Sequence, residues 1–587
     1  MRQKKQFGFV LLLIVLVLGG LFLLNARRQT SNKSFGEDNG FNENYLDTNE
    51  ISSLIVPHHD LVKEKRAEAF YSIKDKVSPR TVILASPNHF NTGNGKIITA
   101  SKDWRTSEGT IMADSQRIDM LLGSGQVVSQ NTAFDGEHGI SNLLGDIKRT
   151  FPNAKLLPLI IRQNVQEAEI HDLGRELVAL CENDCLLIAS VDFSHYQPGA
   201  LAELHDSLSI RALANLDQDL IWRAEVDSNQ SLALAQSFAV SYDTPRFNLF
   251  YNSNSGKIAG SRDAESTSYV MGWYERGEAL APITDEATFV IGGDAMFDRN
   301  IDYNFRGEKL PEVFDKFGDR VMAGMDISIL NLEGPISPTP IPADNGHSMI
   351  FNFPPKTADV LSWLKLNAVS LANNHTFNNG KKGFENTIKV LKEKRITPIG
   401  NQETFDEDST AYFEQGEVKV AVMAIDILAT REDLTVHIKK EKLAGRKVII
   451  MPHWGIEYEQ IHSKDQERLA HSWIDAGADL VIGGHPHVVQ DAEIYKNKPI
   501  FYSLGNLLFD QTFSKETQRG LIVAGKFKGD NLEIVLLPTK SEKFKPSLLT
   551  GSEKTQFLTN MRKYLKLQDA NSGYGYDKIM ISEQVSR

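Results

Sequence analysis

Cysteine is almost absent from this chain of 587 residues, which contains only Cys181 and Cys185. Two cysteines exclude the disulfide framework that holds many small secreted domains together. Their close spacing could close a small loop in an oxidising compartment, but two free thiols are the favoured interpretation. Blocks of like charge are also absent beyond the N-terminus, and the net charge of −12 argues against a nucleic-acid partner.

Long apolar runs are missing too, with one exception near the N-terminus. Residues 7–24 carry no charge, and basic residues lie on both sides of them. As a helix this run would span about 27 Å, close to the bilayer core of about 30 Å. Because no small-x-small cleavage site follows, an uncleaved signal anchor is favoured over a cleaved signal peptide. We therefore expect a single-pass protein of the cell membrane, with both of its domains extracytoplasmic.

The remaining sequence is too long for a single hydrophobic core. Short apolar runs alternate with helical patterns in two long regions, which predicts two layered α/β domains. Segments rich in polar residues separate them and predict a spacer and a linker. The predicted divisions are a membrane anchor (1–28), a disordered spacer (29–50), a first domain (51–275), a linker (276–287), a second domain (288–540) and a polar C-terminal extension (541–587).

Potential metal ligands follow one predicted strand after another in the second domain. The carboxyl ends of parallel strands converge on one crevice, so these residues can meet although they are far apart in sequence. One of them alone would be read as a cap or a surface residue, but five such endings in order predict a site. Mixed carboxylate, amide and imidazole ligands suit two divalent cations such as Mn²⁺, Fe²⁺ or Zn²⁺. The endings are Gly293-Asp294, Asn331-Leu332-Glu333, Asn373-Asn374-His375, His453-Trp454-Gly455 and Gly484-His485-Pro486-His487.

These endings also carry a family resemblance. The segments GGDAMFDR, NLEGP, LANNHTFNNGKKGF, HWGIEY, DAGADLVIGGHPHVVQ and FYSLGNLLFDQ resemble the CapA family. That family is associated with poly-γ-glutamate capsule synthesis and is similar to calcineurin-like metallophosphoesterases, which implies an αββα sandwich. Met296 stands where the phosphoesterase motif has a histidine, which weakens one of the two metal positions. The resemblance implies metal ligands at Asp294, Glu333, Asn374, His453, His485 and His487.

Two further residues are predicted to act on the substrate of this second site. His375 matches the histidine of the phosphoesterase Gly-Asn-His motif, so the resemblance implies a general acid or a phosphate contact. Arg299 is expected at the same mouth, where it would contact an anion.

Histidines and carboxylates gather in the first domain as well. The segments VPHHD, ILASPNHF, DGEHG, SVDFSHY and SYVMGWY resemble the Memo family, also called AmmeMemoRadiSam system protein B. That family is similar in fold to class III extradiol ring-cleavage dioxygenases, which hold non-haem iron. The resemblance implies that His58 and His89 bind a metal, and Asp227 falls nearest the position of the family's cysteine ligand. Two histidines and a carboxylate suit Fe(II), with Zn²⁺ as the other possibility.

Three more residues of the first domain, His138, Asp192 and His195, are expected to line the same cleft.

The sequence is compatible with three functions. The first is a metal-dependent, phosphoesterase-like hydrolase that serves synthesis of a surface polymer such as poly-γ-glutamate. The second is a non-catalytic metal-binding scaffold of a surface-polymer complex, and the third is an Fe(II)-dependent oxidoreductase in the first domain. The retained pair Asn374 and His375 favours the enzyme, whereas Met296 favours the scaffold. The expected partners are the membrane, the surface polymer and other membrane synthesis proteins.

Overall fold

A computed structural model describes residues 49–261, 265–339, 349–567 and 578–582. The predicted membrane span, residues 7–24, lies outside these residues. Within them no helix is long and apolar enough to cross a membrane. The longest, Gly199–Ala214, has 16 residues and buries charged side chains, whereas a span needs about 20 apolar residues. The expectation of a single-pass membrane protein with extracytoplasmic domains is therefore corrected.

The first region, residues 49–275, is built on an eight-stranded sheet of order β10-β12-β1-β8-β2-β7-β3-β6. Strands β1, β8, β2 and β7 are parallel and lie at its centre. Because helices cover both faces, the central strands are mostly apolar and are buried along almost their whole length. Outside this sheet, β4 pairs with β5 and β9 pairs with β11. The strands of the region are β1 (Ile51–Val56), β2 (Thr81–Pro87), β3 (Ile97–Thr99), β4 (Trp104–Thr106), β5 (Gly109–Ile111), β6 (Val128–Ser129), β7 (Lys155–Ile161), β8 (Cys185–Ser190), β9 (Gln197–Pro198), β10 (Arg246–Asn254), β11 (Glu265–Ser266) and β12 (Ser268–Glu275).

Apolar clusters on both faces of this sheet give the region three layers. The helix Glu167–Cys181 illustrates why: Ile170, Leu173 and Leu177 recur at helical spacing and are buried. The helices are Lys63–Ile73, Ser115–Leu122, His138–Ser141, Leu144–Thr150, Glu167–Cys181, Gly199–Ala214, Gln218–Arg223, Asn229–Ser241 and Ser255–Ala259, with short 3₁₀ turns at Asp60–Val62 and Asn131–Phe134.

Cys181 and Cys185 form a disulfide, so the prediction of two free thiols is wrong. Cys181 ends a helix and Cys185 begins β8. Between them Glu182 and Asn183 adopt positive φ angles of 42° and 66°, which turn the chain back sharply. This turn brings the two Cα atoms to 5.4 Å, within the range that a disulfide requires.

The second region, residues 286–582, contains two sheets. One has nine strands, in the order β16-β15-β14-β13-β24-β25-β26 with β23 and β27 paired at its side, and the other has six, in the order β17-β18-β19-β20-β22-β21. The strands are β13 (Glu286–Ala295), β14 (Ile327–Leu332), β15 (Ala368–Ser370), β16 (Thr397–Ile399), β17 (Thr410–Gln415), β18 (Val418–Asp426), β19 (Lys447–His453), β20 (Leu480–Ile482), β21 (Ala492–Tyr495), β22 (Lys498–Phe501), β23 (Asn506–Leu508), β24 (Arg519–Lys528), β25 (Asn531–Glu542), β26 (Lys545–Leu548) and β27 (Lys578–Ser582).

The two sheets pack face to face, since one apolar cluster joins residues of both. Two further clusters lie on the outer faces, under helices, so the layers run α, β, β, α as predicted. Strands β26 and β27 continue the larger sheet beyond residue 540, within the predicted polar extension. The helices are Asn300–Asn304, Lys356–Trp363, Gly380–Glu393, Leu434–Leu443, Lys464–Ala476 and Gly551–Tyr564, with 3₁₀ turns at Gly307–Phe314 and Glu407–Ser409.

Candidate metal centres

The first candidate centre lies at the carboxyl edge of the first sheet. Strands β1, β8 and β2 are neighbours there, and His58, Asp192 and His89 each follow the end of one of them by two residues. Asp227 comes from the loop before the helix Asn229–Ser241. Its backbone N–H donates to the Asp192 carbonyl (3.1 Å), and the Asp192 N–H donates to Asp227 Oδ2 (3.2 Å). The predicted ligands of the first domain therefore lie together.

The ring of His58 faces two carboxylates. Its Nε2 atom is 3.4 Å from Asp192 Oδ2 and 3.4 Å from Asp227 Oδ2. His89 Nε2 is 3.7 Å and His195 Nε2 is 3.9 Å from the same Asp227 oxygen. Asp192, expected only to line the cleft, is thus as close to His58 as the predicted ligand Asp227.

A serine determines which nitrogen of His58 carries the hydrogen. The single hydroxyl hydrogen of Ser190 is donated to the Gly139 carbonyl (2.6 Å), so Ser190 Oγ accepts from His58 Nδ1 (3.2 Å). Burial and the nearby histidines hold the pKa of His58 well below its usual range, so the ring is neutral. Its Nε2 lone pair then points at two carboxylates. Burial and the charge of Asp227 raise the pKa of Asp192 to about 8. The ionised carboxylate is therefore unfavourable at this position, and a bound cation would remove that penalty.

A carboxylate stands behind His89. Its Nδ1 donates to Glu137 Oε1 (2.6 Å), and its backbone N–H donates to Glu137 Oε2 (3.1 Å). Burial alone would lower the pKa of His89, but Asp227 and Glu137 raise it to about 9. A carboxylate in this position commonly orients a metal-binding imidazole. His138 stacks on the ring of His89, with ring centroids 4.0 Å apart, and so covers one face of that imidazole.

The second candidate centre lies between the carboxyl edges of two sheets. From the larger sheet come Asp294 on β13, Glu333 after β14 and Asn374 after β15. From the smaller sheet come His453 at the end of β19 and the segment after β20 that contains His485 and His487. The strand ends predicted to converge therefore do so across two layers.

Two groups of contacts make up this centre. In one, His487 Nδ1 is 3.6 Å from Asp294 Oδ2 and His487 Nε2 is 3.5 Å from Glu333 Oε1. In the other, His453 Nε2 is 2.9 Å from Asn374 Oδ1. Two donor atoms that bind the same divalent cation are also about 3 Å apart. The side chain of His485 lies next to His453, with ring centroids 4.9 Å apart.

The backbone that presents these histidines is strained. His485 and His487 have positive φ angles of 95° and 58°, and such conformations cost about 1–3 kcal/mol each. A Cβ on the preceding Gly484 would lie 2.6 Å from Asp294 Oδ1, so only glycine allows this close approach. The His485 N–H donates to Asp294 Oδ2 (3.1 Å), which ties the strained segment to the carboxylate.

An asparagine determines which nitrogen of His487 carries the hydrogen. Asn506 Nδ2 donates towards the carbonyls of His487 and Thr517 and towards Gln511 Oε1, at 3.0–3.2 Å. Its Oδ1 therefore faces His487 Nδ1 (3.0 Å) and accepts from it. The Nε2 lone pair of His487 is left pointing at Glu333.

Glu333 itself is fully buried, and its Oε1 atom has no hydrogen-bond partner among the described residues. Burial, and then the charge of Asp294, raises the pKa of Glu333 far above its usual range. Buried carboxylates are normally paired or bound to a metal. A carboxylate oxygen without a partner, facing an imidazole lone pair, fits a divalent cation. The donor atoms of Asp294, Glu333 and His487 lie within 4.8 Å of one another.

The two residues predicted to act on substrate differ in their surroundings. His375 Nδ1 donates to Asn378 Oδ1 (2.9 Å), and its Nε2 is 3.9 Å from Glu333 Oε1, so the ring reaches the second centre. Arg299 instead forms an ion pair with Asp510, with its guanidinium carbon 5.1 Å from the centre of the Phe351 ring. Asp510 therefore already neutralises the charge that was predicted to contact an anion.

Several residues of the second centre were given no individual role from the sequence. Asn331 Nδ2 donates to Asp294 Oδ1 (2.8 Å), and Asn506 orients His487 as described above. Asp426 is fully buried at the end of β18, beside His453 on β19. Asn506 lies within FYSLGNLLFDQ, a segment that resembles the CapA family, and this resemblance was the sequence signal that could have identified it. Met296, in contrast, packs in the outer apolar cluster and its sulfur accepts from the Asp298 N–H (2.9 Å).

Comparisons with known proteins find relatives of both regions. The family profile described as "Bacterial capsule synthesis protein PGA_cap" matches residues 288–511, and the profile "Memo-like protein" matches residues 30–271. The "Capsule biosynthesis protein CapA" of Bacillus anthracis is 31% identical over 284 residues, which cover 43% of this chain and 67% of that protein. A "MEMO1 family protein" of Methanosarcina barkeri is 30% identical over 225 residues, which cover 36% of this chain and 83% of that protein.

The chain belongs to both families. Its Memo-like region comes first and its CapA-like region follows. A "Probable polyglutamine synthesis accessory protein" of Mycobacterium tuberculosis is 22% identical over 349 residues, which cover 48% of this chain and 91% of that protein. Among solved structures, an uncharacterized protein from Escherichia coli K12 matches with a TM-score of 0.27 and 14% identity, covering 38% of this chain and 99% of that one. A TM-score of that size supports no conclusion about fold or function.

Proposed function

We propose that the CapA-like region is a metal-dependent, phosphoesterase-like hydrolase that serves synthesis of a polyglutamate-like capsule or another surface polymer. The observation that carries this proposal is Glu333, whose buried Oε1 has no described hydrogen-bond partner and faces the lone pair of His487. Relatives named for capsule biosynthesis and for polyglutamine synthesis suggest the polymer.

The residues of the second centre would have two roles, metal binding and contact with the substrate. Asp294, Glu333 and His487 would hold one divalent cation, and Glu333 would share a second with Asn374, His453 and His485. Bound Mn²⁺, Fe²⁺ or Zn²⁺ would supply an activated water and charge stabilisation at phosphorus. His375, held through Nδ1 by Asn378, presents Nε2 beside Glu333, where it would contact a substrate oxygen or transfer a proton.

We propose that the Memo-like region holds a separate Fe²⁺ or Zn²⁺ ion. His58, His89 and Asp227 would be the ligands, and Asp192, at the same edge, would be a fourth ligand that donates oxygen. Two histidines with carboxylates suit Fe(II), which favours an oxidoreductase as a second candidate activity. We propose domain limits of 51–275 and 288–540, and we extend the second domain to residue 582 because strands β26 and β27 continue its larger sheet.

A non-catalytic scaffold is the alternative for the CapA-like region, and two observations favour it. Met296 packs in an apolar cluster where the phosphoesterase motif has a ligand, and Arg299 is paired with Asp510. In that case the metal would only stiffen a cleft that binds the polymer or another protein of its synthesis.

Metal loading followed by an activity screen separates these functions. The full chain would be stripped with a chelator, reloaded with Mn²⁺, Fe²⁺ or Zn²⁺, and assayed on phosphomonoesters, phosphodiesters and poly-γ-glutamate, with Glu333→Gln as the matched control. We expect metal-dependent turnover that Glu333→Gln abolishes. A metal-loaded wild-type chain that is inert on every substrate would overturn the hydrolase and leave the scaffold.

A further inference from the structure

A buried carboxylate supports the first centre from behind. Glu225 lies in the same loop as Asp227, two residues earlier, and is only 5% exposed. Its Oε2 atom accepts from the backbone N–H of His195 (3.0 Å), the residue whose ring faces Asp227. Glu225 therefore joins two sides of the first centre, the loop that carries Asp227 and the segment that follows Asp192.

The cation that faces Glu225 comes from the other region of the chain. Arg320 lies between the 3₁₀ turn Gly307–Phe314 and strand β14, and its Nη1 atom is 3.1 Å from Glu225 Oε1. A buried carboxylate that loses its cation is strongly unfavourable, because its charge is then neither hydrated nor paired. The CapA-like region thus supplies a positive charge that reduces the cost of burying Glu225 beside the first centre.

The segment that carries Arg320 is seated tightly against the same loop. Gly324 has a φ of +66°, and a Cβ at this position would lie 3.0 Å from both Glu225 Cβ and His205 Cδ2. His205 is fully buried, and its Nδ1 shares a hydrogen bond of 2.8 Å with Ser194 Oγ. The CapA-like segment therefore packs against Glu225 and His205, and these two residues are hydrogen-bonded to His195 and Ser194.

We infer that Arg320 is a positioning residue for the metal centre of the Memo-like region, which is complete only when the CapA-like region is packed against it. This inference rests on the proposed metal binding by the Memo-like region. By pairing with Glu225, Arg320 holds the backbone of His195 and the loop of Asp227 in the arrangement that brings Asp227 Oδ2 to His58 and His89.

A second arginine allows this role to be separated from simple docking of the two regions. Arg223, of the Memo-like region, donates to the carbonyls of Met325 (2.6 Å) and Asp326 (2.9 Å) in the same segment. It therefore contributes to the same interface, but its contacts lie on the β14 side of that segment. Arg223→Gln is a matched control, because it removes an interface arginine and leaves the Glu225–Arg320 pair in place.

The test is the Zn²⁺ affinity of the first centre in the full chain, measured by chelator competition. The second centre is first removed by Glu333→Gln with His487→Gln, so that the remaining tight Zn²⁺ belongs to the first. We expect Arg320→Gln to raise the Zn²⁺ Kd about tenfold, the effect of losing a group that supports a ligand. Arg320→Lys, which keeps the charge, should recover most of the affinity, and Arg223→Gln should leave the Kd unchanged.

The outcomes are distinct. An unchanged Kd in Arg320→Gln would overturn the inference, and so would an equal loss in Arg223→Gln, which would indicate docking alone. If the parent with an intact Arg320 binds no Zn²⁺, the proposed metal binding fails together with the inference. If Arg320→Gln does not fold, Glu225→Gln tests the same ion pair from its other member, and a Zn²⁺ Kd equal to that of the parent would overturn the positioning role.

Discussion

The two candidate centres use the same local device in different settings. In each, a neighbour accepts a hydrogen bond from Nδ1 of a buried histidine, Ser190 for His58 and Asn506 for His487, and the Nε2 lone pair points at carboxylates. The first centre is built on adjacent strands of one sheet. The second draws Asp294 and Glu333 from one sheet and its histidines from another.

This difference predicts different consequences of metal binding. In the CapA-like region a cation would link two layers that otherwise touch mainly through apolar side chains. In the Memo-like region the ligands already sit on hydrogen-bonded neighbours, so the geometry depends more on the loop of Asp227 and on what holds it. Metal binding should therefore stabilise the packing of the second region more than that of the first.

The largest expected effect separates ligand from substrate contact at the second centre. Asn374→Ala should lower metal occupancy and turnover together, because its Oδ1 lies beside His453 Nε2. His375→Ala should keep the metal and lower kcat by about 10²–10⁴-fold, the usual contribution of one proton-transfer group. Metal analysis alongside steady-state kinetics measures both. Equal loss of metal in the two variants would make His375 a ligand and would break the proposed division of roles.

The next effect compares the buried carboxylates of the two centres in the absence of metal. Glu333→Gln should raise the free energy of unfolding of the metal-free chain by about 1–3 kcal/mol, because it removes a buried carboxylate with an unpartnered oxygen. Asp227→Asn should give a smaller gain. Each carboxylate has one oxygen without a partner among the described residues, but Asp227 Oδ2 accepts from the Asp192 N–H (3.2 Å) and faces His89, whereas Glu333 Oε2 has only a 3.5 Å contact with Asn331 Nδ2. Urea denaturation with and without a chelator measures this. Destabilisation by Glu333→Gln in the chelated protein would contradict the cation site.

That the strand-end residues lie together could be predicted because the carboxyl ends of parallel strands must meet at one edge. Asp294, His453 and His487 therefore needed only the pattern of apolar runs. The disulfide could not be predicted, because it depends on the positive φ angles of Glu182 and Asn183, which spacing does not reveal. The ion pairs Arg299–Asp510 and Glu225–Arg320 could not be predicted either, because their members are far apart in sequence and meet only through the tertiary packing.

A covalent link distinguishes the first region from the second. Replacing both Cys181 and Cys185 by Ala should lower the free energy of unfolding of the first region by about 2 kcal/mol, the loop-entropy value for so short a loop. The metal affinity of the second centre should not change, because the disulfide lies in the other region. Calorimetry with separate metal titration measures both. A loss of second-centre affinity would show that the regions are coupled through more than their interface.

The smallest effect is a pH dependence outside either centre. Burial alone would lower the pKa of His462, but the hydrogen bond and charge of Asp491 raise it above 6.5. The stability from this pair is therefore fully present below pH 6.5 and is lost as the pH rises through the folded-state pKa. His462→Gln should reduce that slope, by less than about 1 kcal/mol in total. Urea midpoints of the chelated chain between pH 5 and 9 measure it, and an unchanged slope would contradict the assignment.

Metal content of the full chain tests most directly whether each region holds its own cation. The wild-type chain and the variants Glu333→Gln and Asp227→Asn would be loaded identically, desalted and measured by elemental analysis with native mass spectrometry. We predict that the wild-type chain retains metal in both regions, that Glu333→Gln loses only the metal of the CapA-like region, and that Asp227→Asn loses only that of the Memo-like region. A wild-type chain that retains no metal, or a single substitution that removes all of it, would contradict two separate centres.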